Sequence, residues 1–385
     1  MTENYNAELK AAWYSFCDRL KDASDTVFAP AVADSPLDRA AGVQYIARYI
    51  SKALNEKMEF ADPLYPQLRA QQTPTSKSWG DNPDCTYLIS LLDGDHTYRI
   101  VGNRGSVTWV SFFLLEGGTL SNSQLQTEWD GSFVITLSQN EAPGNWIKLS
   151  PGLNHLTVRQ FFGEWDTEEP MRIAIERVGL DGPPPPLTPQ KVIAGLSDAA
   201  EWLIQDCAAW PKWNEYYGEF PNEWVAGLPY KRPPGVGVRQ LSGAVNFCHW
   251  RVQPDEALIV RVKPPRCTYW NVQMHNYWVN SVEYRYRLSS VNNKQAAMED
   301  DGSACVVVSH VDPGVPNWLD TGGHTVGLMV QLFVEAERVA IPEARLVKLA
   351  DLDGALPADT RRITREGRRD QLRRRKAGVD RRFLV

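Results

Sequence analysis

Imidazole both binds metals and moves protons near neutral pH, so the six histidines are the first residues to weigh. They are His96, His155, His249, His275, His310 and His324. No two lie one residue apart, as a jelly-roll metal site would need, and no His-Glu-x-x-His occurs. The spacing therefore predicts no metal and no cofactor. His275 closes the run YWNVQMH, where alternation puts Trp270, Val272 and Met274 on one side of a strand and Asn271, Gln273 and His275 on the other. The first side reads as core and the second as a wall of hydrogen-bonding groups. At the end of that strand His275 and Asn276 could orient a polar ligand while Trp278, or Trp270, stacks on it. The same pattern also suits an exposed sheet face or a domain interface.

Two further places could do chemistry. Asp81, Asn82 and Asp84 flank Pro83 in a short acidic loop. Carboxylates so close can share acid–base work if their surroundings separate their affinities for a proton; they can equally cap backbone N–H groups. With His275, Asp81 and Asp84 are the candidate catalytic residues. Arg159, inside HLTVRQFF, alternates with apolar residues and could clamp a carboxylate or phosphate, or pair with an acid between domains. Nucleophile elbows and phosphate-cradling loops are missing; GVGV at 235–238 follows two prolines and lacks the pattern.

The elements that must position these residues follow from patterning. Leu9, Trp13, Phe16 and Leu20 predict one N-terminal helix; Ser35 and Pro36 start a second, with Val43, Ile46, Ala47, Ile50 and Leu54 along its apolar face. From about residue 84, short aromatic and β-branched runs alternate with turns such as Asp93-Gly94, which suggests a sandwich or barrel. Pro183 to Pro186 form a stiff spacer, after which Thr188 and Pro189 restart a helix lined by Val192, Leu196, Ala199 and Leu203. Strands resume near residue 241.

The later β region repeats the earlier one. Asp130-Gly131-Ser132 returns as Asp301-Gly302-Ser303, Asn145-Trp146 as Asn317-Trp318, and Leu149 and Gly152 as Leu319 and Gly322, at offsets of 170 to 172. Upstream, Trp109 matches Trp270, and Met329 or Val330 stands near the place of Arg159. Each Trp is expected to cap a sandwich end with its N–H on a loop carbonyl. The expected division is a helical segment at 1–75, a first sandwich at 76–182, a linker with helix and aromatic-rich insert at 183–240, a second sandwich at 241–350 and a basic tail at 351–385.

Composition agrees with a globular chain: 385 residues, 43% hydrophobic, 23% charged and fourteen Trp. The net charge of −6 is uneven. Residues 351–385 carry eleven Lys/Arg against six acids, or +5, leaving −11 elsewhere. Without an aromatic-studded basic stripe the tail is expected to lie on the chain's own acidic body or a neighbour's, not on nucleic acid. No export signal or membrane-length apolar run is seen, and the six cysteines are scattered singly, so a soluble, cytoplasmic protein with reduced thiols is expected.

GDNPDCTYLI, TYRIVGNRGSVTWVSF, DPGVPNWLDTGGHTVG and the closing RRRKAGVDRRF resemble the bacterial family called domain of unknown function 1214, over most of residues 10–385. The resemblance implies a mainly β chain of two related jelly-roll-like β-sandwich domains behind an α-helical N-terminal segment. That family has no established catalytic residues to carry over. The function expected is small-ligand binding, with cofactor-independent hydrolase or lyase chemistry on a partly apolar, aromatic or sugar-like substrate as its enzymatic form. The alternative is a non-catalytic assembly or scaffold protein, a homo-oligomer with the basic tail docked on an acidic surface.

Overall fold

The computed structural model describes residues 5–29, 35–115, 117–227, 243–338 and 340–383; the GVGV segment lies outside them. Helix α1 (Tyr5–Phe28) buries Phe16, Ala23 and Val27, while Trp13 is about half exposed. Helix α2 (Pro36–Leu54) starts where expected: Ser35 Oγ accepts from the Asp38 amide at 3.3 Å, with Pro36 in the first turn. Of the face expected, Ile46 is buried and Ile50 and Leu54 pack partly on the same cluster, but Val43 and Ala47 are exposed and the buried stripe is turned toward the tyrosines. Asp38, Gly42, Tyr45, Tyr49 and Lys52 point inward and Val43 outward. The two tyrosines turn the helix because they pack on Trp278, Trp202 and helix α3 (Pro189–Ala209), which Thr188 caps. A seven-residue helix α4 (Pro211–Tyr217) carries the aromatic insert onto the sheets, with Trp213 and Tyr217 against Phe247.

Eighteen strands among the described residues form four sheets. The earlier nine are β1 (Arg69–Gln72), β2 (Cys85–Asp93), β3 (Tyr98–Asn103), β4 (Trp109–Leu114), β5 (Thr119–Ser121), β6 (Ser132–Ser138), β7 (Asn145–Lys148), β8 (Leu153–Phe161) and β9 (Arg172–Arg177). They pair as β1-β2-β8-β4-β5 and β7-β6-β3-β9 around a core that includes Tyr98, Ile100, Phe112, Ile135 and Val158. The later nine are β10 (Trp224–Ala226), β11 (Gly243–Arg251), β12 (Glu256–Val262), β13 (Tyr269–His275), β14 (Ser290–Asn292), β15 (Ala304–Ser309), β16 (Trp318–Asp320), β17 (Val326–Val334) and β18 (Glu343–Lys348). Their orders, β10-β11-β17-β13-β14 and β16-β15-β12-β18, reproduce the earlier ones strand for strand, down to the single parallel pair in each. Their core includes Trp250, Leu258, Val260, Trp270 and Val306. The chain is thus mainly β, in two sandwich-like halves behind a helical segment. The Asp93-Gly94 turn joins strands of opposite layers and is a corner between sheets, not a hairpin.

The repeated turns are equivalent bond by bond. Gly131 and Gly302 both have positive φ (81° and 77°), which a Cβ would strain, and in each half the preceding Asp accepts from the following Ser amide at 2.9 Å. Asn145 donates to Gln126 O and Val134 O and accepts from the Gln126 amide; Asn317 does the same with Ala297 and Cys305. The indoles differ: Trp318 donates to Ser309 O, but Trp146 donates to the Ser138 hydroxyl.

Strand register corrects three of the matched pairs. Trp109 lies opposite Phe161, and in the later half Tyr269, not Trp270, holds the corresponding place opposite Val334. Leu319 corresponds to Ile147, not Leu149, because the offset of 172 set by Asn-Trp continues through the strand. Arg159 faces Ser111 as Leu332 faces Asn271, so its counterpart is Leu332 and not Met329 or Val330. A one-residue slip moves a side chain to the other face of a sheet. Trp109 and Tyr269 accordingly meet in a cluster between the halves with Phe161, Leu328 and Val334, while Trp270 goes into a core.

Behind β18 the short helix α5 (Leu352–Ala355) lays Leu352 and Leu356 on the outer face of its sheet. Helix α6 (Arg365–Phe383) then runs back along the molecule. No helix of the described residues is long and apolar enough to cross a membrane.

Candidate functional site

Strand β13 alternates as expected, and all seven of its residues are buried. Its polar wall faces the loop that precedes β2. Asn82 Nδ2 donates to the Tyr269 hydroxyl at 3.3 Å and Asn271 Nδ2 donates to Asn82 Oδ1 at 3.1 Å. Asp81 takes both the amide and the hydroxyl of Ser281, at 2.9 and 2.6 Å. Asp84 accepts from Tyr269 at 2.6 Å, from the Trp165 indole at 2.8 Å and from Asn271 at 3.4 Å. Among the described residues the two carboxylates share no hydrogen-bond partner.

His275 Nε2 lies 3.1 Å from the carbonyl of Asp81, which can only accept, so that nitrogen carries the proton. Burial holds its pKa below the ordinary value, and His275 is paired with Leu328 across the sheet. His275 is a neutral pin between loop and strand. Asn276 Oδ1 accepts from the amides of Trp278 and Asn280, and the Trp278 indole donates to Asp38 O at 2.7 Å while stacking on Tyr45. The structure gathers Asp81, Asp84, His275, Asn276 and Trp278 into one buried seam. It leaves out Trp270, in the core, and Arg159, whose guanidinium lies 4.8 Å from the centre of Phe113 and 5.5 Å from that of Tyr87.

Two lysines complete the seam. Lys52 Nζ donates to Gln71 O and Ser78 Oγ, both at 2.7 Å, and burial lowers its pKa to about 7. Lys77 Nζ donates to Ser281 O at 2.8 Å beside the Tyr284 ring, and burial lowers it to about 8. Neither forms an ion pair among the described residues. Lys52 sits at helical spacing from Tyr45 and Tyr49, a signal visible in sequence once the stripe is drawn through the tyrosines. Lys77 carries no such signal.

Helix α6 buries three arginines seven residues apart: Arg368, Arg375 and Arg382. Arg368 takes Asp312 in a fork at 2.8 and 3.0 Å and covers Trp318. Arg375 donates to Tyr284 O and to the hydroxyl and carbonyl of Ser290; Arg382 donates to Pro83 O. These last two lie on Trp165, 4.2 and 3.9 Å from its ring centre. Gly378 permits the contact, since a Cβ there would stand 2.6 Å from that of Trp165. The basic tail therefore lies on the chain's own body.

Between α6 and the two halves opens a cleft of about 250 Å³. Trp165 and Trp318 line it, with Glu164, Asp166, Ser290, Lys294, Gln295, Arg374 and Arg375 among the polar groups. Among the described residues Lys294 and Arg374 form no ion pair, although both lie in the field of Glu164, whose carboxyl is raised chiefly by burial and then by Asp166. None of the six histidines reaches this cleft. Among the described residues no group of three or more His, Cys, Asp or Glu is placed to hold a metal.

Two copies of one β-sandwich, joined by a polar seam and clasped by an arginine-bearing helix, define a duplicated sandwich protein. The chain belongs to the family described as "Protein of unknown function (DUF1214)", whose pattern matches residues 256–336, from β12 to just past β17. It is similar to an uncharacterized protein from Burkholderia cenocepacia of known crystal structure, at 34% identity over 89% of this chain and 99% of that one, with a TM-score of 0.84. A protein from Vibrio parahaemolyticus matches at 13% identity over 86% and 100% of the two chains, TM-score 0.43. A salicylate 1,2-dioxygenase from Pseudaminobacter salicylatoxidans matches at 12% over 81% and 83%, TM-score 0.19. No curated protein matches the chain.

Proposed function

We propose that this protein binds a small, ring-bearing polar ligand in the cleft beside α6, on two sandwiches of jelly-roll type. The observation that carries the reading is the meeting of two tryptophans with hydrogen-bonding groups of both signs in a concave space of about 250 Å³. Trp165 is covered by Arg375 and Arg382, which leaves the Trp318 indole to meet a sugar or aromatic ring, and the volume lies below that of drug-sized pockets, so one ring is the natural occupant. The successive movement of β2, β3 and β4 between layers supports the jelly-roll assignment. Binding stands ahead of catalysis because Asp81, Asp84 and His275 are spent on the seam. The six cysteines are unbonded, which fits a reducing, cytoplasmic setting. Calorimetry and thermal melts against sugars and aromatic acids test the reading. Some members should raise the Tm by a few degrees at millimolar concentration, and Trp318→Ala should abolish the shift. A panel with no effect on the native protein overturns it.

A specific observation supports assembly as a second reading. Among the described residues of the earlier half, Val101 and Val134 on the outer face of β3 and β6 are exposed and Trp129 nearby is 97% exposed. Light scattering of Trp129→Ser beside the native chain decides this: a monomeric native protein ends the second reading.

A further inference from the structure

We propose that the ligand of this cleft carries a carboxylate, seated toward Arg375 with Lys294 and Arg374 at the mouth. This rests on the ligand-binding reading above and adds a charge to it.

The argument is one of uncompensated charge. Arg375 and Arg382 are both buried, one on each contact with Trp165. The buried carboxylate whose field reaches both is Asp84. Its oxygens are taken by Trp165, Tyr269 and Asn271, and it makes no ion pair with either guanidinium. Among the described residues Arg375 instead donates to neutral acceptors, the carbonyls of Tyr284 and Ser290 and the Ser290 hydroxyl. A guanidinium held in low dielectric by neutral acceptors retains a favourable site for an anion. Arg375 also lines the cleft, at 6% exposure.

The mouth repeats the pattern. Lys294 and Arg374 line the cleft without an ion pair among the described residues, while the neighbouring Arg368 and Arg381 are paired with Asp312 and Glu169. Glu164 and Asp166 stand on the wall contributed by the earlier half; they would repel an anion there and direct it toward α6. Each terminal nitrogen of Arg375 spends one hydrogen on Ser290 and keeps a second for a carboxylate, and the ring that bears it would lie on Trp318.

Matched pairs test this on the full chain: benzoate against benzamide and glucuronate against glucose, by calorimetry at low salt. The acid of at least one pair should bind tenfold or more tightly than its neutral partner. Lys294→Ala and Arg374→Ala, both at the surface, should each remove much of that difference, and raised salt should shrink it. The pair that responds distinguishes an aromatic acid from a sugar acid. Equal binding of acid and neutral forms overturns the carboxylate proposal and leaves the ligand-binding reading standing. No binding by any of the four, with Trp318→Ala equally silent, overturns both.

Discussion

The earlier and later sandwiches share strand order, turn geometry and the asparagine that ties β6 to β7 or β15 to β16, yet their surfaces have parted. On the outer sheet of the later half, Ile259 and Val307 lie under Leu352 and Leu356. At the corresponding places of the earlier half stand Arg99 and Thr136, open to solvent or nearly so. On the opposite sheet, β13 offers Asn271 and Gln273 where β4 offers Ser111 and Phe113. A duplicated backbone thus keeps the residues that close its turns and is free to change those on its faces, because the faces answer to whatever packs on them.

Exchanging the outer faces gives the largest expected effect. Ile259→Arg should destabilise the protein by about 3 kcal/mol or more in urea melts, since it forces a charge beneath Leu352 and Leu356. The mirror change, Arg99→Ile, should stay within about 0.5 kcal/mol. Similar costs for both would break the comparison.

The asparagines sharpen it from the other direction. Asn145→Ala and Asn317→Ala each remove three equivalent hydrogen bonds, so each should cost about 2 to 3 kcal/mol, and the two should agree within about 1 kcal/mol. A wider gap in paired denaturation curves would mean that one half tolerates the loss through contacts the other lacks.

The smallest effect concerns the polar seam, whose strand wall on β13 has no polar counterpart on β4 beyond Ser111. Lys52 has a pKa of about 7 in the fold against 10.5 ordinarily, with burial the main cause and Glu56, Asp81, Arg69 and Asp206 acting on it. Between those values the unfolded chain binds a proton the folded chain does not, so stability rises with pH above 7 and is flat below it. The slope from this group is at most about 1.4 kcal/mol per pH unit. Lys52→Met should flatten the rise in Tm between pH 7 and 8.5; an unchanged slope would place the proton elsewhere.

Much of this was open to reading before any coordinates. The Asp-Gly-Ser and Asn-Trp repeats announced two copies because turn chemistry is local: a positive φ or a side chain bonding two residues on depends on little else. Ser35 and Thr188 announced their helices for the same reason, and alternation sorted β13 into core and wall. Less legible were the faces. Spacing placed Trp109 against Trp270, one residue from its true counterpart, because two tryptophans look alike to a sequence and strand pairing does not.

What the amino-acid order determined by itself was the β class, the duplication, the caps and the turns, each set by interactions within a few residues. What only the tertiary structure decided was which charges lie inside. Arg368, Arg375, Arg382, Lys52 and Lys77 are each buried because partners distant in sequence supply their acceptors and ring faces. The cost of burying a charge depends on those partners, and no window of sequence contains them.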